Sequence, residues 1–294
     1  MFTELLTCNP NKYLSMKSVS ILFLAASLTI TLFSCSESEE PKTPDPTEIN
    51  EKEVIVEDFQ AILDSAGLRG AILISDGQTL YSNDYDWAAK GHLPASTYKI
   101  PNSIIALELG VMENDSTISE WDGEPRFMKR WEQDLYLRDA FHLSCVPCYQ
   151  DVARKIGASR MQEYVDRLNY GSMQFDSSNI DLFWLEGASR ISQMQQIEFL
   201  QAFNEGKLSV SERTLEIMSR MMIIEENDRF TLRGKTGWSV TNDIDNCWFV
   251  GWVETDKGTY YFATNVEPGI NTNSDDLFTT RKTITYKALE LIAL

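Results

Sequence analysis

Pro94-Ala95-Ser96-Thr97-Tyr98-Lys99-Ile100-Pro101-Asn102-Ser103 is the stretch on which the reading of this chain turns. It follows a Gly91-His92-Leu93 loop and opens the apolar series Ile100, Ile104, Ile105, Leu107 and Leu109, whose spacing predicts a buried helix from Ser96 to Leu109. Residues three apart share a helix face, so Ser96 and Lys99 leave it together. A hydroxyl beside an amine base can attack a carbonyl. Free backbone N–H groups at a helix start favour the negative charge that such an attack creates. Pro101 removes one hydrogen bond just past the first turn, which we read as tolerated.

Lys235-Thr236-Gly237, taken alone, is an exposed lysine leading into a turn. Its flanks argue otherwise: Phe230, Leu232, Trp238 and Val240 alternate as in a strand, and Cys247 to Val253 reads as the buried partner. A glycine on a strand marks close approach of something to the backbone, and a substrate laid along that edge fits. Between the two motifs lie Ser144-Cys145-Val146, Tyr170-Gly171 and Phe183-Trp184-Leu185-Glu186-Gly187.

In this order the motifs resemble those of the class D, oxacillinase-type serine β-lactamases of the penicillin-recognising serine hydrolase superfamily, over about residues 55 to 294. Class A would show Ser-Asp-Asn in place of S-x-V, and that string is absent. The chain departs from the family at Ser172, where Asn usually follows Tyr-Gly, and at Tyr98, where Phe is common. The Tyr98 hydroxyl needs a partner if buried.

The resemblance implies that Ser96 is the acylated nucleophile and that its N–H and that of Trp238 form the oxyanion hole. It implies that carbon dioxide carboxylates Lys99 to N6-carboxylysine, the base for acylation and deacylation. Carboxylation needs a neutral amine, so burial must pull the lysine down from its usual pKa of about 10.4. We expect Val146, Leu185 and Trp184 to supply that apolar wall, with the Trp184 N–H donating to a carbamate oxygen. By the same resemblance Ser144 shuttles a proton to the leaving nitrogen beside Lys235, Thr236 and Gly237 face the substrate, and Arg281 binds its carboxylate. The other reading of Arg281 is a surface cation on a helix's first turn.

Only His92 and His142 are present, neither with a G-x-S-x-G elbow, so a Ser-His-Asp triad and a zinc site lack their residues. Metal is not expected, and carbon dioxide or bicarbonate is the only accessory species implied. Cys145 and Cys148 have dithiol spacing without a thioredoxin-like pattern around them, and in an oxidising compartment they could pair. Cys247 reads as a core residue. A net charge of -18 argues against nucleic acid, while Lys235 and Arg281 can still make a local positive spot.

Met16-Lys17 and the apolar Ile21 to Phe33 resemble an export signal, and Leu32-Phe33-Ser34-Cys35 resembles a lipobox with Cys35 as lipid acceptor. The alternative is plain secretion with cleavage near Cys35. The expected organisation is a signal segment over 1–35 with its start at 16, an acidic Pro-containing tether over 36–54, and one catalytic domain over 55–294. The expected location is the periplasm of a Gram-negative bacterium or a membrane reached only through that lipid.

Strands are expected at Gly70 to Ser75, Thr79 to Asn83 and Phe230 to Val266. Helices are expected at Leu135 to Leu143, Pro147 to Ile156, Ala158 to Leu168, Ser192 to Phe203, Glu212 to Ile224 and Leu277 to Leu291. The expected class is α/β (α+β): an antiparallel sheet from N- and C-terminal strands flanked by helices, plus a helical subdomain. The implied activity is hydrolysis of a β-lactam; a β-lactam sensor domain and a penicillin-binding D-Ala-D-Ala peptidase are the alternatives.

Overall fold

Apolar side chains on both faces make Ile244–Thr255 a central strand: Cys247, Phe249 and Val253 are buried on one side, Trp248, Val250 and Trp252 on the other. The computed structural model describes residues 51–269 and 277–294, all within one compact unit. The expected export segment, the start at Met16 and Cys35 lie outside the described residues, as does most of the tether.

The elements are β1 (Lys52–Ile55), α1 (Glu57–Ser65), β2 (Leu68–Ser75), β3 (Thr79–Ser82), α2 (Tyr85–Ala89), α3 (Lys99–Glu108), β4 (Ile118–Ser119), β5 (Leu135–Tyr136), α4 (Leu137–His142), α5 (Val146–Ile156), α6 (Ala158–Leu168), α7 (Gln193–Asn204), α8 (Glu212–Met221), β6 (Ile223–Glu226), β7 (Phe230–Thr241), β8 (Ile244–Thr255), β9 (Gly258–Pro268) and α9 (Leu277–Ile292). Among the described residues seven strands form one sheet in the order β1-β3-β2-β9-β8-β7-β6, antiparallel except for the parallel pair β1 and β3. N- and C-terminal segments thus meet at β2 and β9.

One apolar layer packs α1 and α9 against the sheet through Phe59, Leu63, Phe249, Phe262, Ile284 and Leu289. The other, larger layer sets the intervening helices against Trp248, Val250 and Trp252. At about 25 cal/mol per Å² of apolar surface, each buried aromatic in these layers contributes on the order of 2 kcal/mol. Ser192 and Gln195 form a reciprocal capping box at the start of α7.

Several boundaries differ from the sequence reading. Leu135 and Tyr136, expected to open a helix, pair as β5 with Ile118 and Ser119, and α4 begins only at Leu137. Residues 52–54, assigned to the tether on composition, join the sheet as β1. Helix α8 stops at Met221, and Ile223 and Ile224, β-branched residues suited to a strand, enter β6 instead. The expected Ser96–Leu109 helix divides into a 3-10 turn, Ala95–Tyr98, and α3. Starting α3 at Lys99 places Pro101 in its first turn, where no backbone donor is needed.

Candidate active site

The 3-10 turn presents Ser96, the expected nucleophile. In this tighter helix residues i and i+3 eclipse, so Ser96 and Lys99 align more directly than in an α-helix. The turn is pinned from three sides. Ala95, with φ of 51°, donates its N–H to Trp184 O at 2.8 Å, while Trp248 Nε1 and Asn246 Nδ2 each donate to Leu93 O at 2.8 Å. Ser96 reaches the floor of a cleft of about 440 Å³, lined also by Ser144, Val146, Leu185, Thr236, Trp238 and Arg281.

Lys99 is only 1 % exposed and donates from Nζ to Ser96 Oγ at 2.9 Å. Burial alone lowers its pKa to about 7, because a charge stripped of water is disfavoured. At neutral pH such an amine is unprotonated far more often than an exposed lysine. The Tyr149 ring lies 5.2 Å from Nζ. Trp184 is buried and stacked on Tyr98 at 5.6 Å, and its Nε1 has no hydrogen-bond partner. Buried indole N–H groups normally have one. The Tyr98 hydroxyl, which the sequence left seeking a partner, lies 3.1 Å from Met161 Sδ.

On the opposite wall Lys235 Nζ donates to Ser144 Oγ at 3.0 Å and to Thr236 O at 2.9 Å. Desolvation, then the charges of Lys99, Arg281 and Lys282, hold the Lys235 pKa well below the ordinary lysine value. Ser144 sits at φ 54°, a left-handed conformation uncommon outside glycine. Strand β6 pairs only with Thr231 to Arg233, so among the described residues Lys235 to Thr241 has no strand partner on its cleft side.

Gly237 explains how β7 comes so close to the turn that carries Ser96. A Cβ there would lie 3.1 Å from Trp248 Cβ and 3.2 Å from both Pro94 O and Thr97 Cγ2, tighter than side chains ordinarily pack. The Trp238 indole donates to Asp245 at 2.5 Å and packs on Phe278 at 5.1 Å between ring centres. Arg281, 6 % exposed on α9, donates to Gly237 O, while its Nε is buried without a partner. The surface reading of Arg281 is therefore overturned.

Residues 67–289 match the family described as penicillin binding protein transpeptidase domain. The chain is 41 % identical over 219 residues to beta-lactamase OXA-10 of Pseudomonas aeruginosa, a match spanning 74 % of this chain and 80 % of that one. It is 42 % identical over 187 residues to beta-lactamase OXA-48 of Klebsiella pneumoniae, spanning 64 % and 70 %. The solved class D beta-lactamase YbXI from Nostoc superposes with a TM-score of 0.77 at 40 % identity, covering 80 % of this chain and 98 % of that chain. The chain belongs to the class D β-lactamases.

Within that family's frame the structure brings together Ser96, Lys99, Ser144, Val146, Lys235, Thr236, Gly237, Trp238 and Arg281 around one cleft, with Trp184 buried behind it. Among the described residues no group of three or more His, Cys, Asp or Glu side chains could hold a metal ion. Sequence reasoning missed Tyr149, although it lies three positions after Val146 on α5 and so shares its face. It also missed the cleft mouth, where Phe127, Met128, Trp131 and Phe278 add apolar surface and His142 stands beside Ser144. Their positions in loops and at helix ends left no periodic signal. Cys145 and Cys148 are bonded as a disulfide.

Proposed function

We propose that this class D enzyme opens the β-lactam ring of penicillin-type antibiotics, and so confers resistance, through an acyl-enzyme on Ser96 with Lys99 carboxylated by carbon dioxide as the base. The observation that carries the reading is the pairing of a buried amine, brought to about pH 7 by desolvation, with a hydroxyl 2.9 Å away. A neutral amine adds carbon dioxide, and the N–H proton is lost to water as the carbamate forms. The partnerless N–H of Trp184 supports a place for one carbamate oxygen.

In acylation Ser96 Oγ gives its proton to the carboxylated Lys99 and attacks the lactam carbonyl. The N–H groups of Ser96 and Trp238 receive the developing oxyanion, at ~3 kcal/mol each in the transition state. The C–N bond breaks as Ser144, held by Lys235, delivers its proton to the departing nitrogen and is reprotonated by the carboxylated Lys99, which returns to its anionic form. Thr236 and Arg281 hold the substrate carboxylate, the guanidinium fork matching its two oxygens. In deacylation the carboxylated Lys99 takes a proton from water, hydroxide adds to the ester, and Ser96 leaves with a proton returned to it. No metal or organic cofactor is needed.

The test is steady-state and burst kinetics on a chromogenic cephalosporin, with and without bicarbonate. Sustained turnover that bicarbonate increases in gas-depleted buffer is expected. A burst without turnover would make the protein a receptor, and no burst would end the reading. We also propose export with lipid on Cys35, which the disulfide supports because thiols pair in oxidising compartments. Cys35→Ala should release the protein from the membrane fraction; unchanged partition would remove the anchor.

A further inference from the structure

The S-x-V motif that carries Ser144 continues directly into α5, and its helix start is built in an unusual way. Cys145 is the N-cap residue and Cys148 the third helical residue, the two positions that a capping box joins by hydrogen bonds. Here they are joined covalently, and Cys148 N–H also points to Cys145 Sγ at 3.3 Å. A crosslink closing so short a loop removes little chain entropy, so its effect is local geometry more than global stability.

That geometry bears on Ser144. Its left-handed φ is a conformation which persists only when the surroundings over-determine it. The surroundings are Ser144 N–H to Phe141 O at 3.1 Å, Cys145 N–H to Ala140 O at 2.8 Å, the Lys235 contact, and the crosslinked cap immediately downstream. The two sulfurs differ in access. Cys145 is wholly buried in the larger apolar layer, whereas Cys148 is half-buried and borders a polar groove of about 490 Å³ that also includes Trp121, Asp122, Pro147, Asp151 and Lys155. This groove and the substrate cleft share only Trp131 among their lining residues.

We propose that the Cys145–Cys148 disulfide is a covalent helix cap that positions Ser144 for proton transfer, and that a dithiol reaching Cys148 through the outer groove opens it and slows turnover. In the exchange a thiolate of the dithiol attacks Cys148 Sγ, the S–S bond breaks, and Cys145 leaves as a thiolate that takes up a proton. The dithiol's second thiol then displaces Cys148, giving two cysteine thiols and an oxidised dithiol. Cys145 and Cys148 are positioning residues here; Ser144 touches the substrate.

The inference rests on the hydrolytic reading above. Its test compares the full chain before and after dithiothreitol, with both thiols mapped by alkylation and mass spectrometry and folding checked by near-ultraviolet circular dichroism. Reduction should lower kcat on the cephalosporin by about tenfold or more while KM changes by less than about threefold, as expected for a misplaced proton-transfer group. Cys145→Ala with Cys148→Ala should reproduce the loss and no longer respond to dithiothreitol. Cys145→Ser with Cys148→Ala restores a hydrogen-bonding cap and should recover most of kcat, a rescue that general destabilisation would not give. Glutathione should be found on Cys148 and not on Cys145.

A folded, fully reduced enzyme with kcat within twofold of the oxidised form overturns the proposal, as does glutathione on Cys145. If the oxidised protein shows no turnover, the hydrolytic reading fails on its own. The positioning claim is then judged by amide hydrogen exchange at residues 144–148, which must quicken on reduction; unchanged exchange refutes it.

Discussion

Replacing Lys99 with Met should stabilise the folded protein while abolishing turnover, and the size of the gain should depend on pH. The Lys99 pKa falls from 10.5 in the unfolded chain to about 7 in the fold. The unfolded chain therefore binds more protons between those values, and wild-type stability rises with pH across that window. Below pH 6 the full shift applies and the buried amine costs about 5 kcal/mol, at about 1.4 kcal/mol per pH unit. By pH 9 the cost has dropped to about 2 kcal/mol. Met fills nearly the same volume without a charge. It forfeits the hydrogen bond to Ser96, worth about 1 kcal/mol at any pH. Loss of the Lys99 charge also relieves Lys235, which it disfavours, in the same direction. The assay is urea unfolding of both proteins at pH 6 and pH 9 in buffers free of carbon dioxide, so that the amine stays unmodified. The difference between variant and wild type should shrink by about 3 kcal/mol from the lower to the higher pH. A difference that does not change with pH, or that grows, refutes the claim that Lys99 is held dry.

Trp184→Phe keeps the stacking surface on Tyr98 but removes a donor that has no partner in the fold. Stability of the unmodified enzyme should change by less than about 1 kcal/mol, while bicarbonate dependence shifts to about tenfold or more higher concentration, read by titration of activity and by carbon-13 NMR of the labelled carbamate. Equal bicarbonate affinity would deny the indole its role. Gly237→Ala should push β7 off the 3-10 turn, because its methyl meets Pro94 O and Thr97 at 3.2 Å. Misaiming one oxyanion donor should lower kcat by about a hundredfold, and near-normal kcat would place the oxyanion elsewhere. Arg281→Lys retains charge but loses the fork, so KM for carboxylate-bearing lactams should rise about tenfold with kcat less affected; a pure kcat loss would contradict carboxylate binding.

The central sheet was legible because β8 is an unbroken apolar run beside the alternating ends of β7, and because Asp-Gly joins β2 to β3 and Asp-Lys-Gly joins β8 to β9. The five strings that bear the chemistry were legible because their order, more than any one of them, is specific. The start of α3 was not, since proline's tolerance of a first turn is a matter of register and a period count spans it unchanged. β1 was hidden by the charges of Lys52 and Glu53, which read as tether until a parallel partner, β3, accepts the backbone. Tyr149 and the cleft-mouth residues depend on contacts between elements far apart in sequence, which no local pattern encodes.

The sheet's two faces bury separate sets of side chains, one under α1 and α9 and one under the helices that border the Ser96 cleft. Layers on opposite sides of a sheet stand about 10 Å from its plane and share few partners. Packing defects introduced on opposite sides should therefore sum without coupling. A lineage under antibiotic selection can repair on the α9 side a loss incurred beside the cleft, with the sheet acting as an insulator between damage and remedy.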